Sequence, residues 1–424
     1  MKRSFTFIMV AVITLLLQGC FGSGGSSAPP PNNVVVAAKD SRVVVTWDMA
    51  PGVEYWIFRA VGSGITPTTC SSMPSCSTTL KVTSPLTVSG LLFNGTTYSF
   101  TINGRINGGP GGAGSPAIQA TPRLAGATWS TGTALGATTI LHGVAYGGVF
   151  VAAGTTGTSS ALFSSADGKT WSTLTNPTTA TNFNAVTYDS LNANYLSAGQ
   201  NGTVIALTPA SSSLGTTQTI GTTTNELFAI TNNGAGFIVA TGASGTIITR
   251  NASGTWTLPA ATIITPTIAT SITLNGVAYG NSTFVAVGTA GTVLRSPDGI
   301  NWTSATSGTN NLMGVTYGLE AGVFVAVGVS GTVLTSPDGI TWTPKLTATT
   351  TIPGTTQLNS VTYSAGRRFV AVANDGSIYY SEYASAGAAW TQAVLPSGTL
   401  NAVTTGGLYD YSAVGAAGLN LYAD

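Results

Sequence analysis

Few side chains in this 424-residue sequence can do chemistry, and they are thinly spread. A single histidine, His142, argues against triad catalysis and against a histidine-based metal site. In the C-terminal part, Arg250, Arg295, Arg367 and Arg368 stand at unlike positions, as do Glu226, Glu320 and Glu382. No carboxylate pair for acid and base work has an evident home there. Cys70 and Cys76, in the Ser/Thr/Pro loop 68–79, are read as a structural loop-closing disulfide. No histidine lies near them to complete a metal site, and a redox pair would more often show a Cys-x-x-Cys spacing. The expectation is a non-enzymatic protein with no metal and no cofactor.

Composition points outside the cytoplasm. Only 6% of residues are Asp, Glu, Lys or Arg, against roughly 25% in an average soluble protein. Gly, Ala, Ser and Thr take their place, as is common in β-rich secreted proteins. A formal net charge of +1 gives no basis for counter-ion release, so nucleic acid is not an expected partner.

The N-terminus gives the address. Lys2 and Arg3 precede an apolar run from Phe5 to Leu17. That run is short for a bilayer span but suits a signal-peptide core. It ends in Leu17-Gln18-Gly19-Cys20, which resembles the lipobox of bacterial lipoproteins, with Gln18 departing from the usual small residue. The resemblance implies that Cys20 is lipidated and heads the mature chain, after a signal peptide at 1–19. Phe21, where an inner-membrane retention signal would place Asp, points to the outer membrane of a Gram-negative cell. Residues 20–33, rich in Gly, Ser and Pro, read as the lipidated Cys and a flexible linker.

Residues 34–122 read as a small β-sandwich. Val43-Val44-Val45-Thr46-Trp47, Tyr55-Trp56-Ile57-Phe58-Arg59 and Tyr98-Ser99-Phe100-Thr101-Ile102 are strand-like, separated by Pro/Gly/Ser turns. The stretch resembles a fibronectin type III domain, and Leu92-Phe93-Asn94-Gly95-Thr96-Thr97-Tyr98 resembles that family's tyrosine corner. The resemblance implies a Tyr98 hydroxyl donating to nearby backbone, and a spacer or adhesive role.

Residues 123–424 are repetitive. Seven segments begin at Leu141, Phe183, Leu227, Leu274, Leu312, Leu358 and Leu400. Subtracting successive starts gives spacings of 42, 44, 47, 38, 46 and 42. That period suits four short antiparallel strands per unit, a propeller blade. The last unit ends without a Trp-Thr strand, and a spare one, Ala127-Thr128-Trp129-Ser130-Thr131, stands before the first unit. Joining the two closes a ring and removes open edges. The fold expected is all-β: a fibronectin type III-like sandwich followed by a seven-bladed β-propeller. Unit two (183–224) has lost its Trp, so the blade count could differ by one.

Three turns share a pattern: Ser165, Asp167 and Trp171; Ser296, Asp298 and Trp302; Ser336, Asp338 and Trp342. They resemble the Asp-box turns of sialidase-like propellers, one residue shorter between Asp and Trp. The resemblance implies an Asp that accepts local amides and a Trp packed between sheets, a structural role. Asp and Gly suit such turns physically.

One constellation remains. The residue after each unit's opening Leu or Phe is His142, Asn184, Phe228, Asn275, Met313, Asn359 or Asn401. If strand one is innermost, these gather at one mouth of the central channel. His142, Asn184, Asn275, Asn359 and Asn401 would then form a polar ring, either a ligand site or a set of inter-blade hydrogen bonds with buried water. The loops 208–226, 257–273 and 344–357 could flank the same mouth. The reading is a lipid-anchored envelope protein that binds protein or glycan. An envelope assembly factor is the alternative, and a sialidase-like hydrolase stands behind both.

Overall fold

The computed structural model describes residues 25–423, except 90–91, 94, 124, 175–181, 209–215, 219–223, 259–263, 268, 270, 345–351, 365–367, 382–388, 394–397 and 407–409. The stretch read as a signal peptide and Cys20 therefore lie outside the described residues. The chain divides into two compact units, residues 1–124 and 125–424.

The first unit is two antiparallel sheets. Val35–Lys39, Arg42–Thr46 and Leu86–Ser89 form one, in that order. In the other, Tyr98–Ile106 lies beside Glu54–Val61, which pairs with Ser77–Val82. Ile118–Ala120 joins the far edge of Tyr98–Ile106. Val43 and Val45 from the first sheet and Tyr55, Ile57, Phe100 and Ile102 from the second share one buried cluster. Alternation explains the contact, because residues two apart project to the same face.

Two details differ from expectation. Ser26–Ala28, inside the stretch read as a flexible linker, is a strand paired with Gly104–Ile106. A Pro-stiffened segment beside an unpaired sheet edge gains ladder hydrogen bonds by docking on it. The Tyr98 hydroxyl accepts the Phe93 amide at 3.0 Å, so in this contact it is acceptor, not donor. Cys70 and Cys76 are joined as a disulfide.

Among its described residues the second unit forms seven sheets of at least four strands each. Blades 1 to 7 open with the strands Thr139–Tyr146, Phe183–Asp189, Leu227–Asn232, Leu274–Gly280, Leu312–Gly318, Leu358–Ser364 and Leu400–Gly406. Second strands such as Thr283–Gly288 are buried along their whole length, because a neighbouring blade covers each face. Blade 2, despite its missing Trp, keeps a fourth strand, Thr216–Thr217. Blade 4 gains a fifth: Ile264–Thr265 pairs parallel with Trp302–Thr303. Part of a loop expected at the channel mouth instead covers an outer sheet edge.

Closure is as the strand count requires. Ser130 and Thr131 pair with Tyr422 and Leu421, completing blade 7 from the front of the unit. Trp129, 6% exposed, packs in the blade 7 core, and its indole N–H donates to Gly126 O at 2.8 Å. Asn420 Nδ2 donates to Thr133 O at 2.7 Å.

Candidate ligand face at the channel mouth

Each blade's opening residue pairs with the end of strand two, and then the register slips by one. Leu141 faces Gly154 but Gly143 faces Ala153, and the same shift recurs in the other six blades. The residue left over is His142, Asn184, Phe228, Asn275, Met313, Asn359 or Asn401. A bulge of this kind re-aims one side chain without ending the ladder. Its backbone is tight: a Cβ on Gly288 would lie 2.1 Å from Thr273 O. All seven bulge residues line one cavity of about 170 Å³.

The asparagines join the blades. Asn184 Nδ2 donates to Leu227 O at 2.9 Å, and Asn275 Nδ2 to Leu312 O at 2.8 Å. Asn359 Nδ2 donates to Leu400 O at 2.7 Å, and Asn401 Nδ2 to Leu141 O at 2.8 Å. Each bond runs from a bulge to the opening carbonyl of the next blade, and the last crosses the ring closure. A carbonyl partner fixes which end of the amide faces it, so the side-chain oxygens are turned away. Asn359 Oδ1 accepts from Gln357 Nε2 at 2.8 Å. Among the described residues nothing donates to Oδ1 of Asn184, Asn275 or Asn401, and none of the three is sealed from solvent.

A carboxylate touches the ring at blade 2. Glu226, just before blade 3, accepts a second bond from Asn184 Nδ2 at 2.9 Å. Burial lowers the pKa of His142, and the nearby Glu226 carboxylate opposes that shift. The imidazole is therefore neutral at neutral pH.

The antiparallel order sends the strand 1–2 hairpins and the Asp turns to the opposite face. There Asp298 Oδ1 accepts the Ile300 amide at 2.9 Å, the Asn301 amide at 2.8 Å and the Ser296 hydroxyl at 2.9 Å. Burial would raise the Asp298 pKa, but bonds from Asn301, Ile300 and Ser296 outweigh it and bring it to about 2. Asp167 and Asp338 make the same local bonds, with Ser165 and Ser336. The indoles of Trp171, Trp302 and Trp342 donate to the glycine three residues earlier, Gly168, Gly299 and Gly339. Trp129 does so to Gly126 without an Asp, a fourth copy that the sequence pattern missed. Beside the blade 1 turn lies a cavity of about 600 Å³ lined by Asp167, Tyr188 and Tyr195.

The arginines are structural contacts rather than a cluster. Arg250 makes a 2.7 Å ion pair with Asp189, their side chains 9% and 1% exposed. Asp189 occupies the strand-end position where blades 4 and 5 have Gly280 and Gly318. Arg250 occupies the position of Ser296. Two departures from the repeat meet across adjacent blades, a signal the sequence carried unread. Arg295 Nε donates to Asp338 O at 2.9 Å, and Arg368 donates to Ala125 O. Arg367 and Glu382 lie outside the described residues. Among the described residues, no group of three or more His, Cys, Asp or Glu is placed to hold a metal ion.

The fold of residues 125–424 is a β-propeller. No protein-family model and no curated protein matches the sequence. Solved structures match its architecture. YCF48 bound to D1 peptide aligns with a TM-score of 0.54 and 15% identity over 72% of this chain and 99% of that one. The WD40 β-propeller domain of Doa1 gives 0.56 and 11% over 70% and 95%. A catalytically inactive virginiamycin B lyase from Staphylococcus aureus, with quinupristin, gives 0.59 and 12% over 70% and 98%. At such identities the likeness is one of fold.

Proposed function

We propose that this chain is a non-enzymatic binding protein of the bacterial envelope, held to the outer membrane by a lipid on Cys20. In this reading the first unit is a fibronectin type III-like spacer and the propeller is the recognition platform. The two antiparallel sheets of the first unit support the sandwich part of this reading. The carrying observation is the channel mouth, where amide oxygens without a donor line the ring and Glu226 stands beside Asn184, with no carboxylate pair bonded to the ring among the described residues. Such a surface suits recognition better than bond cleavage.

Protein is favoured over glycan as the ligand. A 170 Å³ funnel is smaller than the roughly 300–1,000 Å³ of small-molecule sites and suits one inserted side chain. YCF48, which shares the architecture, has been solved bound to D1 peptide, and this supports a protein ligand; an envelope assembly role stands as the second reading. The test is crosslinking of the full chain in intact cells, comparing Phe228→Asp and Met313→Asp with Ile340→Asp on the opposite face. Loss of one crosslinked envelope partner with the first two alone is the expected result. Loss with Ile340→Asp alone would place recognition on the other face. Cys20→Ser should abolish incorporation of radiolabelled palmitate.

A further inference from the structure

The chemistry of the mouth narrows what it receives. Asn184 spends its Nδ2 on Leu227 O and Glu226, and Asn275 spends its own on Leu312 O and Met313 Sδ. Their oxygens, with that of Asn401, receive no donor among the described residues, and Glu226 places a carboxylate beside Asn184. Phe228 and Met313 interrupt the polar ring with apolar surface. The mouth thus combines spare acceptors, a negative charge and a greasy wall.

We propose that the mouth binds the cationic end of a Lys or Arg side chain from a partner protein. The inference rests on the reading of the propeller as a recognition platform. The aliphatic stem lies against Phe228 and Met313, and the cation reaches Glu226 and the adjoining oxygen of Asn184. Long basic side chains pair an apolar stem with a charged head in this way, and Phe228 adds a ring face to the charge. A bare divalent ion fits less well, because its oxygens must converge to about 2.3–2.6 Å. The three asparagines stand on blades 2, 4 and 7, each tied to its neighbour, and cannot close on one point. Glu226 and Asn184 stand side by side instead, and the N–H groups of one basic head can share acceptors placed in that way.

The test uses the full chain in detergent, labelled with 15N at asparagine, titrated separately with n-butylguanidinium, n-butylammonium, n-butanol and calcium chloride. Expected are saturable shifts of the side-chain amide of Asn184 with one or both cations, and none with butanol. The stronger of the two identifies Arg or Lys. Glu226→Gln, which keeps the Asn184 contact, should weaken binding about tenfold. Met313→Ser gives a second variant that removes the apolar wall. Equal shifts with butanol, shifts with calcium alone, or unchanged affinity in Glu226→Gln overturns the proposal. If a crosslinked partner depends on Phe228 and Met313 but neither cation competes with it, this inference fails while the platform reading stands.

Discussion

Ring closure can be tested by a bond that exists only if the ring does. Ser130 and Tyr422 are paired residues of the closing ladder. Antiparallel partners have Cα atoms about 4.5–5.5 Å apart, inside the disulfide range of roughly 4.4–6.8 Å. The double variant Ser130→Cys/Tyr422→Cys should therefore crosslink on oxidation, with Cys70 and Cys76 already bridged. Closing so long a loop removes denatured-state entropy worth about 5 kcal/mol, less any strain. Trp129→Ala probes the same joint from the core side. Trp129 is buried, so its truncation should cost ~3–5 kcal/mol. At about 2 °C per kcal/mol for a domain of this size, its Tm should fall by ~6–10 °C. The assays are peptide mapping of the oxidised variant and thermal unfolding by circular dichroism. A chain that will not crosslink, together with a Trp129→Ala Tm within 1 °C of the parent, would refute closure through this strand.

Other perturbations follow from single contacts. Asp189→Asn strands Arg250 in a buried site and should destabilise by about 3–5 kcal/mol in denaturant melts. The Asp189 pKa is lowered because bonds from Asn192 and Arg250 outweigh the upward push of burial. Its stabilisation is thus present above the ordinary carboxylate value near 3.8 and is lost as pH falls below it, a loss that Asp189→Asn should lack. His142→Asn places the repeat's usual amide opposite the blade 2 opening carbonyl and should add about 0.5–1.5 kcal/mol, read from the denaturation midpoint. Ala290, at φ +53°, sits in left-handed backbone. Ala290→Gly should raise stability by up to ~1 kcal/mol in the same assay. Reduction of Cys70–Cys76 should cost about 2 kcal/mol, since the closed loop is short, and should leave the propeller transition in place.

What the sequence reveals is what the chain specifies locally. Strand two of blades 4 to 6 is a dense apolar run, and the Asp turns recur with fixed Ser, Gly and Trp spacing, so both are readable residue by residue. Closure is legible as well, because a missing Trp strand at Leu400–Asp424 and a spare one at Trp129 balance. The bulge is harder to see. A one-residue slip leaves composition and period unchanged and shows only when Leu274 faces Gly288 while Gly276 faces Val287. The mouth residues were found by position, but the direction of each amide depends on a carbonyl in the next blade. Asp189 and Arg250 escaped notice because each looks like random drift until the blades are set side by side. The docking of Ser26–Ala28 escaped for the opposite reason: a Gly/Ser/Pro composition reads as linker, and only the free edge of Gly104–Ile106 recruits it.

The pairing of Ser130 and Thr131 with the final strand also has a meaning in time. In each of blades 1 to 6 the four antiparallel strands follow one another in sequence, so each set can form early and cheaply. Blade 7 must recruit a strand held at the other end of the unit, a contact of the highest sequence separation, which forms slowly. Until it does, Asn420–Ala423 keeps a bare edge able to pair with a second chain. The last joint to set is then the one that decides between a closed ring and an aggregate.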